Sequence, residues 1–427
     1  MEIDRVYNRD CLEGMRELEE NSVDAIVTDP PYGLSFMGQE WDHGVPGASY
    51  WQEALRVAKP GAHLLAFGGT RTHHWLMVAI EDAGWELRDC LMWVFGSGMP
   101  KGLDVGKAID KAAGLSRTVL GPKRSPDGRC RTSEPSGMQE RTPLHGGGIR
   151  KREEWLTAPA TDAAKQWDGW NTALKPSYEP VILARKPLDG TVAETVLKWG
   201  CGGLNIDGCR IGTENVSQHG RSDSENSCLS GRNYAEAPGR SWIGRWPANL
   251  LLDDLAADLL DQQSGTLKSG GNPARRGSAK FKNCYGEFNG QESCTVHRGA
   301  NSGGASRFFY CAKASKKERS GSLHPTVKPL DLMRYLCRLV TPPGGLILDP
   351  FLGSGTTAVA AVHEGFHYLG FEINPTYCED AERRIAEARQ EIAAPRPNKR
   401  GNSASKDAPQ ATTLAAFGTE ETSTTPP

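Results

Sequence analysis

Short apolar runs alternate with amphipathic stretches towards both ends of the chain, and the rhythm fails in the middle. Seven runs have the length and branched or aromatic content of buried strands: 3–7, 23–28, 63–67, 91–95, 181–184, 346–348 and 368–371. Between several of them lie stretches with helical spacing, at 11–20, 49–58, 74–83, 329–340 and 375–391. Strands alternating with helices predict an α/β fold with a doubly wound, mostly parallel seven-stranded sheet, whose ligands bind at the carboxyl ends of strands. Acidic residues stand at four such ends: Asp10, Asp29, Asp349 and Glu372.

Residues 96–175 and 201–320 are dense in Gly, Ser, Asn, Pro and Arg, show little apolar periodicity, and read as insertions outside the sheet. Basic loops are expected around 125–131, 144–152 and 269–282. After Pro395 the composition is that of a disordered tail. At 427 residues the chain exceeds the usual span of one domain, roughly 100–200 residues, which fits one catalytic domain plus an elaboration. The divisions expected are 1–95, 96–175, 176–200, 201–320, 321–394 and 395–427.

Net charge is only −2, which argues against a nucleic-acid partner until its distribution is considered. Residues 1–95 carry seven Lys/Arg against sixteen Asp/Glu, whereas 262–323 carry eleven against three, so the average conceals a basic segment. The eleven cysteines include no Cys-x-x-Cys pair, and no apolar run is long enough to span a bilayer. A reduced, cytoplasmic protein is expected.

Asp29-Pro30-Pro31-Tyr32 closes the run 23–28. It places a carboxylate, a stiff turn and an aromatic ring together at a strand end. Two prolines fix φ twice and remove two donors, leaving the Pro30 carbonyl to accept beside the Asp29 carboxylate. Two such acceptors suit a planar NH2, and Tyr32 would stack on the ring that bears it, with its hydroxyl dispensable. Far downstream, 346–357 is an apolar strand followed by a glycine-rich turn and an alanine-rich helix start. Glycines permit close approach of a ligand, and the free N–H groups of the helix start favour an anionic group. No Lys follows the turn, so the phosphate-binding loop pattern is not met. Glu372 ends the next strand about twenty residues on, where an acid suits a ribose diol.

On these motifs the chain resembles the amino-group DNA methyltransferases that use S-adenosylmethionine, in the permuted order of the beta class. Asp29-Pro-Pro-Tyr32 looks like the catalytic motif, 349–355 like the cofactor motif, and His324-Pro-Thr-Val-Lys328-Pro329 like the segment preceding it. The resemblance implies a Rossmann-like methyltransferase sheet and double-stranded DNA as substrate. It assigns the catalytic role to Asp29, Pro30, Pro31 and Tyr32. Cofactor binding falls to Asp10, Asp349, Pro350, Phe351, Gly353, Ser354, Gly355, Thr356, Glu372 and Asn374. Asp10 would meet the adenine, and His324 and Lys328 the methionine end. An acid at the first motif position points within the family to N6 of adenine, with N4 of cytosine as the alternative. A second copy of the chain and a cognate restriction endonuclease are the further partners the family allows.

The basic segment 201–320 is then expected to recognise DNA. Lys280, Lys282, Lys316 and Lys317 would contact phosphates, and Arg275, Arg276 and Arg298 base edges. Cys284, Cys294, His297 and Cys311 match no common zinc spacing, and no metal is expected. Two other readings are a protein-glutamine methyltransferase, whose motif typically begins with Asn, and a DNA-binding module with a decayed site. The intact Asp29, Tyr32, Gly353, Gly355 and Glu372 speak against the latter.

Overall fold

The computed structural model describes residues 1–34, 44–98, 102–122, 132–133, 152–153, 155–218, 240–269, 274–275, 281–283, 286–288, 294–295, 301–312 and 327–394. Their apolar runs assemble into one nine-stranded sheet. In chain order its strands are β1 (Arg5–Asn8), β2 (Val23–Thr28), β3 (Ala58–Phe67), β4 (Glu86–Val94), β5 (Tyr178–Arg185), β6 (Leu250–Asp253), β7 (Tyr310–Ala312), β8 (Leu346–Asp349) and β9 (His367–Glu372). They lie side by side as β1-β9-β8-β2-β3-β5-β4-β6-β7. Only β5 runs against its neighbours, antiparallel to β3 and β4.

The seven expected strands are all present and contiguous, and the sheet is larger than expected by β6 and β7. Both come from 201–320, so that segment does not lie wholly outside the sheet. The apolar run Leu250, Leu251 and Leu252 is not set off by a turn but runs straight into a helix, Asp254–Ser264, capped by Asp253, and β7 has only three residues. The insertion 96–175 also holds more order than its composition suggested. Helices Val105–Ala112 and Asp162–Gln166 flank a two-stranded ribbon of Thr118–Pro122 with Trp155–Ala158. Buried Asp110 ties them, accepting from the Ala160 and Thr161 amides at 3.0 Å each and facing Arg117 at 3.1 Å. The basic loops expected at 125–131, 144–152 and 269–282 lie almost wholly outside the described residues, as does the tail.

Helices cover both faces of the sheet. Along β3, Leu64 and Ala66 point to one side and Leu65 and Phe67 to the other, the period-two alternation of a strand buried on both faces. Helices α1 (Cys11–Arg16), α2 (Ala48–Val57) and α3 (His73–Asp82) pack on the first side around fully buried Met15, Trp51 and Ile80. Helices α4 (Leu330–Val340), α5 (Thr356–Glu364) and α6 (Pro375–Ala393) cover the second. Glu364 of α5 locks α4 in place through Arg334 and Arg338, at 2.8 and 2.7 Å.

The two ends of the chain meet in the sheet. β1 pairs with β9 and β2 with β8, both parallel. Across the second junction the Thr28 hydroxyl donates to Asp349 Oδ1 at 2.6 Å. Burial pushes the Asp349 carboxyl up to about 6, even though Thr28, Thr357 and the Phe351 amide hydrogen-bond it; nearby Asp29 adds to the rise. At the head of α5, Gly355 takes φ 77°, and a Cβ there would stand 2.7 Å from the Ala381 methyl of α6.

Two consequences are measurable. Gly355→Val forces a branched residue into left-handed backbone and against α6, costing roughly 2–5 kcal/mol in chemical denaturation. The second concerns Asp349, whose folded pKa lies above its unfolded one. Its contribution to stability is complete below about 3.9 and fades as pH rises through about 6. Asp349→Asn is therefore expected to gain about 1–3 kcal/mol over the wild type at pH 8 and nothing at pH 4, read from paired denaturation curves.

Candidate active site

The order β1-β9-β8-β2 places four carboxyl ends in one row, so Asp10, Glu372, Asp349 and Asp29 come to a single edge from positions up to 362 residues apart. A cavity of about 1250 Å3 opens along this edge. Small-molecule sites usually span about 300–1,000 Å3, so this space suits a cofactor together with part of a second substrate.

At one end of the cavity the chain builds a carboxylate cradle. Glu372 Oε2 accepts the Gly353 amide and Oε1 the Asn374 amide, each at 2.8 Å. Both oxygens are thus fixed, and each keeps a lone pair for a further donor. Burial raises the Glu372 carboxyl pKa despite those backbone donors. Gly353 takes φ 54°, which lets its amide turn onto Glu372. Asp10 lines the same end and caps α1, with Oδ1 accepting from the Leu12 and Glu13 amides at 2.9 and 3.1 Å. Pro350, Phe351, Ser354, Thr356 and Asn374 also line the cavity, and the Phe351 ring is propped by Tyr50 and Trp51.

Of the expected cofactor group, Gly355 is absent from the wall. The volume beside it is filled by α6, so its lack of a side chain serves helix packing. His324 lies outside the described residues.

The opposite end holds a compact ionic cluster. Lys328 Nζ stands 2.8 Å from Asp29 Oδ2 and 3.1 Å from Glu179 Oε2. It also donates to the Tyr32 hydroxyl at 3.0 Å, while that hydroxyl donates to Asp29 Oδ1 at 2.8 Å. The ammonium lies 5.3 Å from the centre of the Tyr32 ring and 4.8 Å from that of Phe67. Burial alone would lower its pKa, but Asp29 and Glu179 outweigh burial and raise it, so Lys328 is a cation at neutral pH. Burial, then the same two carboxylates, push the Tyr32 phenol well above its ordinary value, so Tyr32 is neutral. Asp29 keeps about a quarter of its side chain exposed, and Pro30 and Pro31 line the cavity beside it.

Lys328 is held beside the Asp29 carboxylate because two anions converge on its ammonium. One expectation changes here. The Tyr32 hydroxyl is engaged at both its donor and its acceptor, so it is not a bystander to ring stacking. Glu179 was not singled out from sequence at all. It sits at the start of β5, whose reversed direction brings its first residues to the edge where the other strands finish. The available signal was Tyr178-Glu179-Pro180 immediately before an apolar run.

None of the seven proposed DNA-contacting side chains can be placed. Arg276, Lys280, Arg298, Lys316 and Lys317 lie outside the described residues, and Arg275 and Lys282 are described only as strand backbone. The same holds for the cysteines and histidine weighed as metal ligands, except Cys311, whose thiol lies near the Ser306 and Phe309 carbonyls. No helix among the described residues is long and apolar enough to cross a membrane.

The chain is similar to known DNA methyltransferases. Over 418 residues the chain is 22% identical to the Type II methyltransferase M.HindIII of Haemophilus influenzae, covering 87% of this chain and 92% of that one. Over 83 residues it is 37% identical to the DNA adenine methyltransferase YhdJ of Escherichia coli, covering 18% of this chain and 28% of that one. Among solved structures, the cytosine-N4-specific PvuII DNA methyltransferase aligns with a TM-score of 0.39 at 13% identity, covering 91% of each chain. The sequence model of the N6/N4 family described as DNA methylase matches residues 164–383, just over half of the chain, and this protein belongs to that family of DNA amino-methyltransferases.

Proposed function

We propose that the protein methylates the exocyclic N6 of adenine in double-stranded DNA, using S-adenosylmethionine. The observation that carries this is Asp29, a partly exposed carboxylate at the end of β2, fixed by Tyr32 and Lys328 and facing the large cavity. The acid at the first motif position favours adenine over cytosine N4, and the Escherichia coli relative is by name an adenine methyltransferase.

The residues fit the cofactor. Glu372, with both oxygens pinned by backbone amides, offers two aligned acceptors for a ribose diol. Asp10 and Phe351 suit an adenine ring edge and face, and the turn 353–356 suits a carboxylate. When bound, S-adenosylmethionine supplies an electrophilic methyl group on sulfonium sulfur. The protein has to bring an amine nitrogen to that methyl and keep it there. The target base must leave the duplex, at a cost of a few kcal/mol, to reach the cavity. Asp29 would then accept from its NH2, drawing the nitrogen lone pair out of conjugation with the ring. The Type II class of the Haemophilus relative fits a partner endonuclease reading the same site.

The direct test is methylation of plasmid DNA by the purified protein, with the digest resolved into nucleosides. N6-methyladenine is expected. N4-methylcytosine overturns the adenine assignment, and no methylated base overturns the function. Asp29→Ala is expected to lose at least about a hundredfold in kcat, as when a group is removed that contacts the reacting atoms. Its affinity for S-adenosylmethionine should remain near wild type. Glu372→Ala should do the reverse, weakening cofactor binding by about 1.5–3 kcal/mol in calorimetry.

A further inference from the structure

We infer that Glu179 is a positioning residue of the methyl-transfer site, which shares the Lys328 ammonium with Asp29 and so leaves the cluster facing the target amine with one uncompensated negative charge. The inference rests on the methyl-transfer reading above.

The charges in contact are two carboxylates, Asp29 and Glu179, and one ammonium, with the neutral Tyr32 phenol bridging them. The cluster is therefore a net monoanion. Its contributors come from separate elements: Asp29 from the end of β2, Tyr32 from the turn that follows, Glu179 from β5 and Lys328 from the segment entering α4. The Phe67 ring of β3 closes one side. Asp349 of β8 is close enough to feel the Asp29 charge but is separated from the cluster by its bond to Thr28.

This matters because of where charge goes in the reaction. The amine lone pair forms the new N–C bond, the C–S pair returns to sulfur, and positive charge passes to the amine nitrogen; its surplus proton then leaves to water. A carboxylate neutralised by its own lysine would exert little net field on that nitrogen. One in excess stabilises the developing cation. Glu179 also gives Lys328 an anion to keep when the amine occupies the Asp29 oxygens, both of which are otherwise engaged. Tyr32 joins the two carboxylates, donating to Asp29 and lying 3.4 Å from Glu179 Oε2.

The isosteric Glu179→Gln variant tests this. With wild-type enzyme active on DNA, the variant is expected to lose about a hundredfold in kcat, while KM for DNA and for cofactor stays within about threefold of wild type. Because burial of Lys328 is then opposed by only one carboxylate, its pKa falls. Above that pKa the ammonium loses its proton and the monoanion returns, so kcat of the variant climbs with pH where the wild type is flat. NMR of labelled lysine should report the same downward shift without any turnover. The Glu179→Gln/Lys328→Gln double variant restores the charge by another route and should be faster than Glu179→Gln alone. The inference is overturned if Glu179→Gln keeps kcat within about threefold of wild type. It is equally overturned if its loss is independent of pH and deepened by the second substitution, as a packing role would have it. An inactive wild type would instead overturn the methyl-transfer reading itself.

Discussion

The parallel pairing of β2 with β8 is the constraint on which the rest depends. Neither strand is near the other in sequence, yet Ala25 and Ile26 register with Ile347 and Leu348, and the Thr28 hydroxyl closes the pair on Asp349. Both strands are buried on both faces, so a slip of one residue would exchange the two core faces and take Thr28 off Asp349. The register therefore fixes how far the Asp29 carboxylate stands from the glycine turn. Each half of the cavity has its own local order, but the distance between them is set here.

Electrostatically the site has two characters. At the Glu372 end a carboxylate is held by backbone amides, which cannot move without unravelling the turn. At the Asp29 end it is held by side chains, Tyr32 and Lys328, which can exchange partners. A bound cofactor needs the first kind of rigidity. A base arriving from a duplex needs the second, since the acceptors it uses must stay satisfied before it comes and be released as it arrives.

Most of the fold was legible because seven of nine strands stand out as apolar runs between helical stretches or turns, and four of them carry acids at their carboxyl ends. Asp10, Asp29, Asp349 and Glu372 followed from that one rule. What escaped has a shared cause. Glu179 lies at the beginning of a reversed strand, and no local pattern reveals a strand's direction. Strand β6 runs straight into a helix with no turn to set it off, and β7 has only three residues. Gly355 looked like a ligand-facing residue because glycines in a turn read alike, whether the nearby volume belongs to a ligand or, as here, to Ala381 of a packed helix. The partners of Lys328 could not be read from the chain because they lie 299 and 149 residues away.

β6 and β7 are parallel neighbours, with Leu251 opposite Tyr310 and Asp253 opposite Ala312. Because the two strands run the same way, the stretch between them leaves at Asp253, the carboxyl end of β6, and returns at Tyr310, the amino end of β7, a crossover that begins with the helix Asp254–Ser264. A flexible part of a crossover clamped at both ends can change length cheaply, since doubling it costs only about 0.6 kcal/mol in closure entropy. Because the clamp hangs on β4, on the far side of β5 from β3, growth or replacement of that stretch leaves the row from Asp10 to Asp29 undisturbed. The fold thereby separates what can diverge from what cannot: the outer clamp is a splice point at which descendants of this chain can acquire new surfaces while inheriting the same chemistry.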